Sequence, residues 1–177
     1  YNINWGSPFY FHPDERNIAS SVAQLTFPTQ MNPHFFAYGS FPIYLIYLAG
    51  AVSNLTTSVS FEHAILISRF LSALLSSLLI ILVYIVGAKI KNQTVGITGA
   101  ILTLLSVGLT QSAHFGTFET WLTFLGVLLF WTCLNLQKKP NISTVIFTGI
   151  LFGLLVSTKI SSITLFPLPL IALLFPK

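Results

Sequence analysis

Five apolar runs fill most of the chain after residue 63, and they constrain the fold more than any other feature. They cover residues 64–87, 94–111, 119–136, 142–158 and 161–176. A bilayer core takes about 20 apolar residues in a helix, and somewhat shorter segments are tolerated. Only residues 158–162 separate the last two runs, which predicts a tight helical hairpin or a broken helix there. The pattern predicts an all-α, polytopic transmembrane bundle of about five spans.

Composition supports a membrane protein. Only 7% of the residues are charged, whereas 54% are hydrophobic and the mean hydropathy is +0.81. Soluble domains carry about 25% charged residues, so this chain has too little polar surface for water. The pI of 9.4 comes from scattered basic residues without a basic stripe, so no nucleic-acid partner is expected.

The first 34 residues are polar, rich in proline and aromatic residues, and contain two of the four acidic residues. Pro13 suits the first turn of a helix, and Asp14 and Glu15 suit its positive end. We therefore expect a short helix from about Asp14 to Leu25. Its apolar positions fall on one face: Ile18, Val22 and Leu25.

Residues 35–53 are compatible with two topologies. Hydropathy alone predicts a span, whereas the tyrosines, a glycine and a proline suit a kinked interfacial helix. If the segment lies in the interface, the four acidic residues share one side of the membrane: Asp14, Glu15, Glu62 and Glu119. Five lysines then share the other side: Lys89, Lys91, Lys138, Lys139 and Lys177. The positive-inside rule makes these lysines cytoplasmic in either case. Composition leaves the two topologies nearly equal.

The first acidic pair has two interpretations. Asp14 and Glu15 can simply form a solvated helix start. Alternatively, a carboxylate in a partly dry cleft, kept ionised by neighbours such as His12 and Arg16, can take a proton from an attacking hydroxyl. The residues alone leave both interpretations open.

Glu119 follows a short loop between two predicted spans, on the same side as Asp14 if residues 35–53 lie in the interface. It can be a charge at a helix N-terminus, but its proximity to His114 equally favours a site. No His-x-x-x-His pair or cysteine cluster indicates a metal. Asp14, Glu15 and Glu119 could hold a divalent cation, but we predict no cofactor.

Two cations lie where lipid is expected. Arg69 falls one to two turns inside a span and needs an anionic partner. That partner is either a protein carboxylate, such as Glu62 or Asp14, or a phosphate, which suits the guanidinium fork. Lys159 lies between two apolar runs. Carboxylates and cations at a bilayer surface suit transfer from a lipid phosphate to a hydroxyl.

The same residues resemble the GT-C membrane glycosyltransferases, in the branch of the protein O-mannosyltransferases and the aminoarabinose transferase ArnT. The order and spacing of the pieces match across nearly the whole chain: HPDE at 12–15, NPHFFAYG at 32–39, RFLSAL at 69–74, TFE at 117–119 and GLLVSTK at 153–159. The resemblance implies a first extracytoplasmic loop, residues 1–63, with juxtamembrane helices, followed by spans within residues 64–177. It favours the interfacial topology of residues 35–53.

The resemblance also implies a mechanism. The catalytic base maps onto Asp14 with Glu15 beside it, and the acid of the second loop maps onto Glu119, where many relatives have Asp. Such enzymes invert the anomeric centre of a sugar taken from a polyprenyl or dolichyl phosphate. The expected acceptor is a hydroxyl on a protein or glycolipid. We expect the donor to contact basic side chains: His12, Arg16, Arg69, His114 and Lys159.

Two other functions fit the composition. In a transporter or lipid flippase, Arg69 and Lys159 would line a path through the bilayer, but polar groups would then gather near its midplane. A membrane scaffold is the other alternative. We expect a fragment of a longer multi-pass protein of the inner or plasma membrane, with an extracytoplasmic active site.

Overall fold

A computed structural model describes residues 3–138 and 140–176, and within them every regular element is helical. In chain order these are α1 (Pro13–Ala23), α2 (Phe41–Asn54), α3 (Phe61–Ile90), α4 (Gln93–Leu105), α5 (Val107–Ala113), α6 (Phe118–Lys138), α7 (Ile142–Thr158), a 3₁₀ helix (Ile160–Leu165) and α8 (Pro167–Leu174). The predicted all-α membrane bundle is confirmed.

Two helices, α3 and α6, are individually long and apolar enough to cross a membrane. The predicted single span 94–111 is instead a broken one, because α4 and α5 meet at Ser106 with a bend of 63°. Serine, β-branched Val107 and Gly108 follow one another there and are weak helix formers. The Thr103 hydroxyl also donates to the Gly99 carbonyl one turn earlier, a contact that often bends helices.

The predicted break after residue 158 is present. Helix α7 is 17 residues long and ends because Lys159 is extended, with φ −155° and ψ 123°. A 3₁₀ turn follows, and α8 then starts at Pro167, whose fixed φ suits a first helical position.

The long helices alternate in direction and give the bundle two chemically distinct ends. Helix α4 runs back along α3, and the two backbones touch at Gly87 and Gly96. Helix α6 runs alongside α3 in the same direction. The first turns of both helices share one buried cluster, and near their ends Lys89 of α3 donates to Asn135 of α6. The end near the start of α3 is called the acidic end, and the opposite end, near Lys89, is called the lysine end.

Helices α1 and α2 both pack at the acidic end. Just before α2, the Gly39 N–H donates to the Thr158 carbonyl at the end of α7, at 3.0 Å. At its other end, Ser53 lies 3.0 Å from the ring of His63 at the start of α3. Because both ends of α2 meet the same end of the bundle, α2 runs across the bundle and not along it. An interfacial helix would have this geometry; the membrane topology itself stays a prediction.

Helix α1 spans Pro13–Ala23, so its predicted start is right and its end falls two residues before Leu25. Its buried face is Glu15, Ile18, Ala19, Ser21 and Val22. Leu25 is also buried, in the same cluster, but from the turn that follows.

Candidate functional site at the acidic end

A buried ion pair holds α1 against α3. The Arg69 guanidinium donates to both carboxylate oxygens of Glu15, at 2.6 and 2.7 Å, and both side chains are fully buried. Its remaining nitrogen donates to the carbonyls of Ile3 and Trp5, each at 2.8 Å. The guanidinium also lies over the Trp5 ring, 4.5 Å from its centroid.

The loop before α6 adds a further hydrogen bond to this ion pair. The Gly116 N–H donates to Glu15 at 2.9 Å. This approach requires glycine, because an added Cβ would lie 2.6 Å from the Cβ of Ser68 on α3. The backbone of the loop can therefore reach a carboxylate that is closed to solvent.

Of the two partners considered for Arg69, the structure shows a protein carboxylate, and that carboxylate is Glu15 instead of Glu62 or Asp14. Each of the three guanidinium nitrogens has a protein acceptor. In this arrangement neither Glu15 nor Arg69 is open to a substrate.

Asp14 occupies a different environment from its neighbour. It is half-buried and faces Tyr38, which lies in the loop before α2. Partial burial, the charges of Asp14 and Glu119, and a hydrogen bond to the Asp14 side chain raise the pKa of the Tyr38 phenol. The charges of Asp14 and Glu119, far apart in sequence, therefore both act on one tyrosine.

Lys159 reaches the same tyrosine from α7. Its ammonium lies 5.3 Å from the centroid of the Tyr38 ring, within the range of a cation–π contact. The ring of Tyr38 also packs on Phe118 at 4.5 Å, next to Glu119. The hydrogen bond between Gly39 and Thr158 fixes the loop beside Lys159, so residues from three other segments surround the ring of Tyr38.

The sequence of the chain matches one known protein family. One family model, described as dolichyl-phosphate-mannose-protein mannosyltransferase, matches residues 42–177. The chain belongs to this family. No curated protein and no solved structure shows a significant match to the chain.

Family membership makes the chain an integral membrane protein of the glycosyltransferase class, of mannosyltransferase type. It favours the transferase over the transporter and scaffold alternatives. The matched region of this mannosyltransferase-family chain contains Arg69, Glu119 and Lys159, whereas Asp14 and Tyr38 precede it. The α1 end of the site is therefore described by the structure alone.

Three of the predicted donor contacts have different environments in the structure. His12 occupies the N-cap position of α1 without a capping side-chain bond. Its ring lies 4.7 Å from that of Phe115, and its Nδ1 is buried without a partner among the described residues. Arg16 is exposed on α1. The His114 ring hydrogen-bonds the Thr110 carbonyl at 2.7 Å, so it faces α5.

A cavity of about 500 Å³ opens next to Tyr38. Its walls come from the loop before α2 and the start of that helix: Met31, Asn32, Pro33, Phe35, Phe36, Tyr38, Gly39, Ser40 and Tyr44. Within the described residues, no three His, Cys, Asp or Glu side chains lie close enough to hold a metal ion.

Tyr38 was missed as a site residue by sequence reasoning, although it lies in the NPHFFAYG segment at residues 32–39. Its aromatic ring suggested only a position at the membrane interface. One feature of the sequence could have indicated it: Tyr38 directly precedes Gly39, in a short loop that brings the Tyr38 ring against α6 and α7.

Proposed function

We propose that the chain transfers a sugar from a polyprenyl or dolichyl phosphate to a hydroxyl of a protein or glycolipid, with inversion, at the extracytoplasmic face. The carrying observation is that Asp14 hydrogen-bonds Tyr38, that the charge of Glu119 acts on the same phenol, and that Lys159 lies against its ring. Family membership supplies the reaction class.

In this proposal Asp14 is the general base. The acceptor hydroxyl attacks the anomeric carbon, its proton passes to the Asp14 carboxylate, and the bond from that carbon to the phosphate oxygen breaks. The polyprenyl phosphate then leaves with the bonding electrons. A base within hydrogen-bond reach of the proton contributes about 10²–10⁴-fold to such a step.

Lys159 and Glu119 have complementary roles. Lys159, free of any carboxylate bond in the described structure, would stabilise the charge that develops on the departing phosphate. Arg16 is exposed on the same helix as Asp14 and would steer the anionic donor toward the site. Glu119 would orient the acceptor, since its exposed carboxylate can accept a second hydroxyl.

Glu15 and Arg69 take structural roles in the proposal. Four of the five N–H groups of the Arg69 guanidinium already donate to Glu15 and to two carbonyls, and the side chain is fully buried, so it is closed to a donor phosphate. Their pair instead fixes the first turn of α1, and with it the adjacent Asp14. The sequence-based assignment of Glu15 to catalysis and of Arg69 to donor binding is therefore not carried into the proposed mechanism.

The experiment is a donor-turnover assay. Purified full-length protein is incubated with a labelled polyprenyl-phosphate mannose and either a hydroxyl-bearing peptide or a glycolipid. We expect release of polyprenyl phosphate and a product whose anomeric configuration, read by NMR, is opposite to that of the donor. Retention of configuration would overturn the single-displacement mechanism, and absence of release with both acceptors would overturn the donor assignment.

A further inference from the structure

A second cavity, of about 590 Å³, lies at the lysine end of the bundle, away from the candidate active site. It is enclosed by the end of α3, the last turns of α6 and the first turn of α7. Its lining includes two lysines, two aromatic residues and two polar residues: Lys89, Lys138, Trp131, Phe147, Asn135 and Ser143. We refer to it as the lysine cavity.

The charge of the lysine cavity is uncompensated within the described structure. Lys89 donates to the amide oxygen of Asn135 and lies 5.9 Å from the centroid of the Trp131 ring, so both of these partners are neutral. Lys138 lines the same cavity, and its charge repels that of Lys89. The four acidic residues of the chain all lie at the acidic end. An anion would relieve the repulsion.

The shape and position of the cavity indicate which anion. Trp131 and Phe147 form aromatic walls, while Asn135 and Ser143 offer hydrogen bonds beside the lysines. Indole rings favour the headgroup level of a membrane. Basic pockets between transmembrane helices at such a level bind phosphate headgroups of lipids.

We propose that the lysine cavity binds the phosphate headgroup of an anionic membrane lipid. Lys89 and Lys138 contact the phosphate, Asn135 and Ser143 hydrogen-bond it, and the aromatic walls contact the glycerol and upper acyl chains. The site is separate from the proposed sugar transfer and does not depend on it.

The test is native mass spectrometry of the full-length protein in detergent, titrated with phosphatidylglycerol, phosphatidylcholine or inorganic phosphate. We expect phosphatidylglycerol to bind at least about fivefold more tightly than phosphatidylcholine, since one lysine near a headgroup contributes roughly that factor. Lys138→Gln should weaken phosphatidylglycerol binding about fivefold and Lys138→Arg should restore it. The matched control is Lys91→Gln, which removes an exposed charge at the same end, outside the cavity lining.

Lys138 is the decisive variant because its side chain is exposed, so its substitution leaves the fold intact and melting temperature verifies this. Equal binding of the two lipids would overturn the proposal. An equal loss in Lys91→Gln would show attraction by the whole basic end instead of a cavity. Displacement of the lipid by millimolar inorganic phosphate would assign the site to free phosphate and overturn the lipid.

Discussion

Glu15 and Arg69 form a doubly hydrogen-bonded ion pair across 54 residues of sequence, with neither side chain exposed. The pair joins the first turn of α1 to the third turn of α3, and the N–H of Gly116 connects the loop before α6 to the same carboxylate. Three separate segments of the acidic end therefore depend on one carboxylate. The adjacent Asp14 is positioned by that same anchor.

Removing one member of this pair should destabilise the protein. Arg69→Ala leaves a buried, unpaired carboxylate, which costs about 3–5 kcal/mol. We expect a large fall in melting temperature or in the yield of monodisperse protein. Arg16→Ala, which removes an exposed arginine from α1, is the matched control and should leave stability unchanged. A stable Arg69→Ala protein with a raised KM for the donor alone would restore Arg69 as a phosphate ligand.

The close approach at Gly116 can be tested with a pair of glycine variants. In Gly116→Ala the new methyl would lie 2.6 Å from the Cβ of Ser68, and overpacking of this kind costs about 1–3 kcal/mol. Gly108→Ala adds the same methyl where nothing lies within 4 Å, so it should not lower the melting temperature. Thermal unfolding of both variants in detergent measures the difference. Equal melting temperatures would show that the loop does not pack on α3 as described.

Tyr38 should give the protein a pH-dependent stability. Its folded pKa is raised by partial burial and by the charges of Asp14 and Glu119. The stabilisation is therefore fully present below the unfolded pKa of about 10 and is lost as the pH rises through the folded value. Between about pH 9 and 11, wild type should lose melting temperature more steeply than Tyr38→Phe. Tyr44→Phe, which changes an exposed tyrosine, should follow wild type; parallel curves for Tyr38→Phe would contradict the raised pKa.

Lys159 should affect the donor more than the acceptor. Its loss removes a charge-assisted contact, worth about 1.5–3 kcal/mol, so Lys159→Gln should lower kcat/KM for the lipid-linked donor about 10- to 100-fold. The KM for the acceptor should change little. Initial rates with each substrate varied in turn separate the two effects. An equal fall for both substrates, with lowered melting temperature, would indicate that Lys159 only supports the loop of Gly39.

The sequence predicted the helical bundle, because long apolar runs leave few alternatives. Counting spans left open whether Asp14 and Glu119 share one side of the membrane, and only the family resemblance favoured that topology. The kink at Ser106 was missed because hydropathy averages over the residues of a run. The low helix propensities of Ser106, Val107 and Gly108, taken residue by residue, indicate the kink.

The division of labour between Asp14 and Glu15 could not be predicted from the sequence. Asp14 is four residues before Ile18 and Glu15 is three before it, so helical periodicity places both beside the buried face and does not say which of them is buried. The partner of Glu15 could not be predicted either, because Arg69 lies on another helix and its selection depends on how α1 docks. Tyr38 was missed for the same reason: its neighbours Asp14, Glu119 and Lys159 come from three other segments.

The central claim is that the Asp14 carboxylate accepts the proton of the acceptor hydroxyl, and single-turnover kinetics of Asp14→Asn test it most directly. The isosteric amide keeps the side chain's shape but is not a base, so sugar transfer should fall about 10²–10⁴-fold while melting temperature and donor binding stay as in wild type. Glu62→Gln, which neutralises an exposed acid in the first turn of α3 at the same end, should transfer at the wild-type rate. Transfer by Asp14→Asn within a few-fold of wild type would contradict the account.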